Sequence, residues 1–295
     1  KINILTLSFL VQILSGALLF DVPIELTQPD GEILSCLASG DEFYNRLHDS
    51  DGYTIVQSPT DGFYYYATLE NEQIVPSPYR ADIPHNLEAM GINKNIMIPK
   101  EQYQRKREQK SSGFETRTAP TIGTVNNLNV FIRFADEDEF TLARSYYDSY
   151  FNDPEGPSML HYFKEVSYDT LTVNTIHYPT ADMTTNLSYQ DQHPRSYYQP
   201  YNEVTNPNGY TNDNEAGIRE QTLLLNAIAF IEDEVPDTLD IDANNDGYVD
   251  NVTFLVSGTP GAWASLLWPH RWVLYMVEAY IDGKRVWDYN FNLSS

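Results

Sequence analysis

The sequence has a single cysteine and few basic residues, and both shortages exclude classes of protein. Cys36 has no second cysteine in the chain, so no internal disulfide can stabilise the fold. Only 18 Lys and Arg oppose 42 Asp and Glu in 295 residues, which gives a formal net charge of −24. This charge repels nucleic acid and anionic membranes and suits divalent cations. We therefore expect no nucleic-acid partner.

Long apolar runs are also scarce, and the one that stands out lies at the start of the chain. Residues 1–20 begin with the positive charge of Lys1, continue as an apolar stretch and contain small residues at 15–17 that suit signal peptidase. The alternative is an uncleaved membrane anchor or a buried helix, but polar residues dilute the stretch below a typical membrane-spanning helix. We predict a signal peptide over residues 1–20, a secreted, extracellular protein, and no stable membrane association after cleavage.

Several motifs of common enzyme classes are absent. The sequence has no Gly-x-Ser-x-Gly elbow, no phosphate-binding glycine loop, no dinucleotide fingerprint and no His-Glu-x-x-His zinc motif. Cys36 has no histidine close in sequence to activate it. His161 and Glu165 share a helical face, but two ligands do not make a zinc site, and we interpret them as a surface pair. The residues themselves predict no catalytic centre within this chain.

The chain does contain a succession of differently patterned regions. Asp-Gly turns followed by β-branched and aromatic residues predict a small antiparallel β-rich domain over residues 21–99. Residues 100–120 are rich in Lys and Arg, and we interpret them as a solvated helix or linker, with an exposed site for an activating protease as the sharper alternative. Residues 121–295 form the next predicted domain.

This second domain mixes strand and helix patterns. We predict strands over residues 128–134, 171–176 and 252–256, helices over 140–151 and 158–166, and a longer helix over 214–234. That longer helix has Asn212, Asp213 and Asn214 as candidate caps and Pro236 as its stop. Because strands alternate with long helices, the sequence predicts an α+β (mixed α/β) fold rather than a β-sandwich.

Residues 242–250 are the strongest candidate binding site. Oxygen-bearing residues alternate around Gly247, which permits a sharp turn, as in loops that bind calcium. The predicted calcium ligands are Asp242, Asn244, Asp246, Tyr248 through its carbonyl, and Asp250, with Asp240 as the alternative to Asp250. The first half fits an EF-hand, but Thr253 stands where a bidentate Glu is needed and a strand follows. We predict a structural calcium site, with an unmetallated Asn/Asp turn as the alternative.

Tryptophan is concentrated near the end of the chain. Three of the four tryptophans lie within residues 263–272, around the sequence Trp-Pro-His-Arg-Trp. We predict a packed aromatic corner in which hydrogen bonds satisfy His270. The alternative is a wall of a substrate cleft.

Taken in their order, these segments resemble secreted immune inhibitor A-like zinc metallopeptidases, peptidase family M-six. The resemblance rests on residues 246–254, 261–264, 268–272 and 283–290, with residues 162–168 as a further family-like segment. It covers residues 126–295, while residues 40–43 and 51–53 resemble the propeptide of such enzymes. It implies a β-rich propeptide over residues 21–99, a linker, and the amino-terminal part of a zincin-like domain.

The resemblance also implies a zinc motif that lies beyond Ser295. In that motif two histidines one helical turn apart hold zinc, and the glutamate between them activates water for peptide hydrolysis. We therefore expect the precursor portion of an enzyme that acts on protein or peptide substrates, with this chain catalytically incomplete and zinc required only by the complete enzyme. The competing class is a non-catalytic, calcium-stabilised secreted binding or adhesion protein.

Overall fold

A computed structural model describes residues 19–41, 43–111, 119–258 and 265–294. The predicted signal peptide, apart from its last two residues, lies outside this part of the chain, as do residues 112–118 of the predicted linker and 261–264 of the tryptophan-rich segment. The described residues form an amino-terminal unit of strands (residues 19–99) and a second unit of strands and helices (residues 119–294). The predicted mixed α+β class is therefore confirmed. No helix among the described residues is long and apolar enough to cross a membrane.

The amino-terminal unit is a six-stranded antiparallel sheet in which each strand pairs with the next along the chain. Its strands are β1 (Leu19–Thr27), β2 (Ile33–Gly40), β3 (Asn45–His48), β4 (Thr54–Gln57), β5 (Tyr64–Glu70) and β6 (Gln73–Arg80). Alternate residues of β2 are buried, which is the period-two pattern of a sheet with one face on a core. Since β1 begins at Leu19, the last two residues assigned to the signal peptide belong to this sheet.

The basic segment begins with helix α1 (Lys100–Ser111). Its side chains are almost all polar, so packing of an apolar face does not hold it in place. One aromatic contact does: the Tyr103 hydroxyl donates to Asp41 Oδ2 at 2.6 Å, and its ring meets Phe43 edge-on at 5.9 Å. Helix α1 is therefore tied to the amino-terminal unit.

The second unit is built on a mixed sheet with the strand order β11-β14-β10-β7-β8. The strands are β7 (Gly123–Arg133), β8 (Leu171–Tyr178), β9 (Tyr189–Gln190), β10 (Val252–Val256), β11 (His270–Val273) and β14 (Asp288–Leu293), and a separate hairpin comprises β12 (Ala279–Ile281) and β13 (Lys284–Val286). Neighbours in the path β14-β10-β7-β8 run parallel, and the edge strand β11 runs antiparallel to β14. All five residues of β10 are buried, as expected for a strand inside a parallel sheet.

Helices cover both faces of this sheet. They are α2 (Arg144–Asn152), α3 (Met159–Val166) and α4 (Asp213–Ile231), with short 3-10 turns at Arg195–Tyr198, Glu232–Glu234 and Ser265–Leu267. Helix α4 brings Leu223, Leu224 and Ile228 into the main core on one face. On the other face, Tyr147 of α2 meets Phe131 of β7 at a ring separation of 5.4 Å. Helices α2 and α4, which lie in the connections between parallel strands, thus pack apolar side chains on the sheet.

The predicted start of α2 was wrong by four residues. The pattern indicated a helix from Phe140, but the helix begins at Arg144. The Arg144 N–H donates to the Thr185 carbonyl at 3.0 Å, and its guanidinium donates to Asn186 Oδ1 at 2.7 Å and to the Leu187 carbonyl at 2.7 Å. Because the Arg144 N–H bonds to Thr185 and not to the carbonyl of Phe140, residues 140–143 do not form the first turn of the helix.

Candidate functional site

The predicted calcium loop, residues 242–250, folds around the buried carboxylate of Asp242. Its Oδ1 accepts the Asp246 N–H at 2.9 Å and its Oδ2 accepts the Gly247 N–H at 3.0 Å. Gly247 has a φ of 86°, which a residue without Cβ adopts readily. Asp250 closes the loop, because its Oδ2 accepts the Ala243 N–H at 2.9 Å. The turn therefore forms as the sequence predicts.

The remaining predicted ligands lie on the exposed side of this turn. Asn244 Nδ2 donates to Asp246 Oδ2 at 3.3 Å, and Asp246 Oδ1 accepts the Tyr248 N–H at 3.0 Å. A cavity of about 20 Å³ adjoins the loop, and its walls include Asp246, Tyr248, Asp250 and Asp288. A cavity of this size has room for one water-sized species. The structure therefore brings all five predicted residues into one loop.

The hairpin β12–β13 contributes a residue that sequence reasoning missed. The Lys284 ammonium lies 3.0 Å from Asp242 Oδ2, so a fixed positive charge already meets the innermost carboxylate. The neighbouring Arg285 holds the loop through its backbone, since its carbonyl accepts the Val249 N–H and its N–H donates to the Gly247 carbonyl, both at 3.0 Å. Nothing in the spacing of residues 242–250 indicates this partner, which comes from a later hairpin.

The charges of the loop shift two pKa values in opposite directions. Burial raises the pKa of Asp250 above its ordinary value, and the carboxylates of Asp242, Asp240 and Asp246 add to the shift. Burial alone would also raise the pKa of Asp242, but the Lys284 ammonium and the backbone N–H groups of the loop outweigh it and lower that pKa. The innermost carboxylate is thus ionised and compensated, whereas burial and the neighbouring carboxylates disfavour the ionised form of Asp250, which a cation would stabilise.

The donor set of this loop fits calcium and does not fit zinc. Its ligands are carboxylate, amide and carbonyl oxygens, which hard cations prefer. In the described part of the chain, no group of three or more His, Cys, Asp or Glu side chains is arranged to hold a metal ion. A calcium ion would therefore have to recruit amide and carbonyl oxygens and compete with Lys284 for Asp242.

The other candidate groups have structural roles. His161 Nδ1 lies 2.7 Å from the Gly156 carbonyl, so its ring holds the loop before α3. Cys36 is buried in the core of the amino-terminal unit, and burial raises the pKa of its thiol to about 11. A thiol of this kind is not a thiolate nucleophile at neutral pH.

The predicted aromatic corner around His270 contains a buried polar contact. His270, on edge strand β11, places Nδ1 2.6 Å from the Trp268 carbonyl and Nε2 3.0 Å from Glu220 Oε1 on α4. The Tyr289 hydroxyl of β14 donates to the same Glu220 oxygen. The His270 ring also stacks on Phe291 at 5.2 Å. Both ring nitrogens have partners, and the contact fixes β11 against α4.

Trp268 connects this corner to the amino-terminal unit. It is only 2% exposed and belongs to that unit's core cluster, with residues such as Leu47 and Tyr53. A second contact between the units runs from Asn202 Nδ2 to the Ser58 carbonyl at 3.1 Å. The amino-terminal unit is therefore seated beside the start of edge strand β11.

No protein-family model matches the chain, and no curated protein matches it. The basis for a functional assignment is therefore the geometry of the loop and of the edge strand, together with the resemblance of the sequence segments.

Proposed function

We propose that this chain is the precursor portion of a secreted zinc metalloendopeptidase. In this proposal residues 21–99 are a propeptide, residues 100–120 are the linker that is cut, and residues 121–295 are the amino-terminal part of a zincin-like domain. The observation that carries the proposal is the edge strand β11, which runs antiparallel at the end of the mixed sheet and has the amino-terminal unit packed beside its start.

An edge strand is suited to bind a peptide substrate. Among the described residues, β11 pairs on one side only, with β14. An extended peptide can add to such a strand through main-chain hydrogen bonds, while side-chain pockets supply selectivity. The Glu220–His270 contact holds β11 rigidly on α4, which favours a fixed position for the bound peptide bond. The residues of this chain thus support substrate positioning.

The amino-terminal unit would limit access to that strand until it is released. Trp268 is buried in its core only three residues before Arg271 of β11. A peptide approaching this end of the strand therefore meets the docked unit. While it stays docked, the covering unit would keep the enzyme inactive. Cleavage near the basic helix α1 would remove its covalent link to the sheet, so that the unit could dissociate and uncover β11.

The described residues include no group of side chains arranged to hold zinc. When bound in the complete enzyme it would activate water for peptide hydrolysis. Calcium is the metal that this chain itself would hold, at Asp242, Asn244, Asp246, Tyr248 and Asp250. Because β10 follows this loop directly, the ion would fix the entry of a central strand into the sheet and act as a structural ligand.

Expression of the whole coding region beside the 295-residue chain tests the proposal. After removal of residues 21–99, the product of the whole coding region should hydrolyse casein, and o-phenanthroline should abolish this activity. The 295-residue chain should not hydrolyse casein. Zinc-dependent proteolysis by the 295-residue chain would contradict the proposed incompleteness. A coding region without His-Glu-x-x-His would contradict the peptidase assignment.

A further inference from the structure

Strands β3 and β4 separate part-way along their length and leave a groove in the amino-terminal unit. They pair at Leu47 with Ile55 and at His48 with Thr54, and the pairing ends there. On their outer sides the pairing continues, since β2 still pairs with residues 45–46 and β5 with residues 56–57. The sheet is therefore split between two strands that remain anchored on either side.

The split leaves backbone hydrogen-bonding groups facing each other. Peptide groups point alternately to the two edges of a strand. One of residues 45 and 46 and one of residues 56 and 57 therefore turns its N–H and C=O toward the gap. All four residues are half-buried. Two facing strand edges form a template for an additional extended chain.

The groove has the size and the lining of a binding site. Its volume is about 720 Å³, within the range of roughly 300–1,000 Å³ that ligand pockets occupy. The carboxamides that line it are Asn45, Gln57, Gln73, Gln102, Gln199 and Asn206. Gln57 Nε2 and Asn206 Nδ2 already donate to backbone carbonyls of the chain. Carboxamides both donate and accept hydrogen bonds, as peptide groups do. Because Gln199 and Asn206 belong to the second unit, docking of the two units completes one wall of the groove.

Arg46 gives the groove a positive charge that neutral groups hold in place. Its guanidinium donates to the Thr54 hydroxyl at 3.0 Å, to Asn95 Oδ1 at 2.9 Å and to the Gly52 carbonyl at 3.3 Å. Burial lowers the pKa of Arg46, and the charges of Tyr44, Asp21 and Asp49 oppose that shift. A part-desolvated guanidinium favours a carboxylate, which can accept two of its N–H groups.

We propose that this groove binds an extended peptide segment that carries one carboxylate side chain. The peptide backbone pairs with the free edges of β3 and β4, and the carboxylate binds Arg46. Glu72 also lines the groove, so a single acidic residue fits better than an acidic run. This site does not depend on the proposed peptidase activity, because every residue that carries it lies outside the mixed sheet.

Fluorescence anisotropy with the whole 295-residue chain tests the site. The probe is a dye-labelled acetyl-Thr-Val-Thr-Glu-Thr-Val-Thr-amide, compared with the same peptide with Gln for Glu and with a version N-methylated at alternate residues. We expect the Glu peptide to bind roughly tenfold more tightly than the Gln peptide, and N-methylation to reduce its affinity by at least about tenfold. Hydrogen exchange should slow at residues 45–46 and 56–57 when the Glu peptide is bound.

Two variants separate the specific site from general charge attraction. Arg46→Gln should bind the Glu and Gln peptides equally, whereas Lys94→Gln should preserve their difference, because Lys94 is half-exposed and lies outside the lining. The peptide comparison uses the unaltered chain, so it stands even where Arg46→Gln fails to fold. Equal binding of all three peptides by the unaltered chain, or no binding at about 1 mM, would overturn the proposal.

Discussion

At the scale of single residues, the calcium loop depends on Asp242 and Asp246. Asp242 is buried at the centre of the turn and Asp246 lies beside the small cavity. We expect calorimetric titration to show calcium binding that weakens by about tenfold or more in Asp242→Ala and Asp246→Ala, since each change removes a charged ligand. In the unaltered chain, calcium at 100 times its dissociation constant should stabilise the fold by about 2.7 kcal/mol. An unchanged isotherm in both variants would reject this loop as the site.

Sequence spacing predicted the loop but not its counter-charge, and the reason is physical. The order of Asp, Asn and Gly within residues 242–250 is a local signal, because these residues make the turn by bonding to their own backbone. Lys284 reaches Asp242 across 42 positions of sequence, so the contact depends on where the hairpin β12–β13 packs. The turn was therefore predictable from the sequence, whereas the ion pair of Asp242 with Lys284 was not.

Lys284 leads to a second prediction. Its ammonium occupies the Asp242 oxygen that a calcium ion would also use. Lys284→Gln should therefore bind calcium about fivefold more tightly, since the Lys284 ammonium is itself partly exposed and its ion pair is of modest strength. Lys164→Gln is the control for loss of one positive charge, because Lys164 is similarly exposed and pairs with Asp169 at 3.8 Å, away from the loop. Equal affinities in all three proteins would show that calcium does not displace the ammonium.

Asp250 makes the stability of the fold depend on pH. Its pKa is raised above 3.8 in the folded chain, so the group favours the folded state below its unfolded pKa, and this contribution is lost as the pH rises through the raised value. Without calcium, Asp250→Asn should therefore be more stable than the unaltered chain at neutral pH, and the gap should close as Asp250 is protonated. Urea unfolding of both proteins, from neutral pH down through the raised pKa of Asp250, measures the difference in their free energies of unfolding. Stability curves that stay parallel at all pH values would contradict the raised pKa of Asp250.

At the scale of helices and strands, sequence patterns predicted the elements whose signals are local in the chain. The cap at Asn212 accepts the Glu215 N–H at 3.0 Å, as its position before the helix indicates. The apolar run of β10 became a central strand. The predicted start of α2 was wrong because the carbonyl of Thr185, which is distant in sequence, accepts the Arg144 N–H. Edge strand β11, with the sequence His-Arg-Trp-Val, lacks a strict alternation of polar and apolar residues, and it forms a strand through its pairing with β14.

The attachment of β11 to α4 should depend on Glu220. Its carboxylate is the common partner of His270 and Tyr289, and all three side chains are nearly buried. Glu220→Ala leaves both partners unsatisfied, so we expect a loss of about 3 kcal/mol in the free energy of unfolding. Glu232→Ala, at an exposed position of the 3-10 turn after α4, should change stability by less than about 0.5 kcal/mol. Urea denaturation compares the two, and equal small losses would show that the contact does not hold the strand.

At the scale of the whole molecule, the two units meet at the places where function is proposed. Trp268 joins the edge strand to the amino-terminal core, and Gln199 and Asn206 complete the groove between β3 and β4. Release of the amino-terminal unit would therefore uncover the edge strand and remove Gln199 and Asn206 from the groove. The sequence predicted both regions by their different patterning, but their docking depends on contacts far apart in the chain.

Trp268 provides the test of that docking. Removing its indole takes a large apolar group out of a core it shares with the other unit, and buried Trp→Ala changes cost about 3–5 kcal/mol. We expect the unaltered chain to unfold in one transition and Trp268→Ala to unfold in two, with faster hydrogen exchange confined first to residues 19–99. Trp272→Ala is the control, because Trp272 packs against the core of the second unit. It should lower stability without separating the transitions, and one shared transition in Trp268→Ala would show that the two units are held together elsewhere.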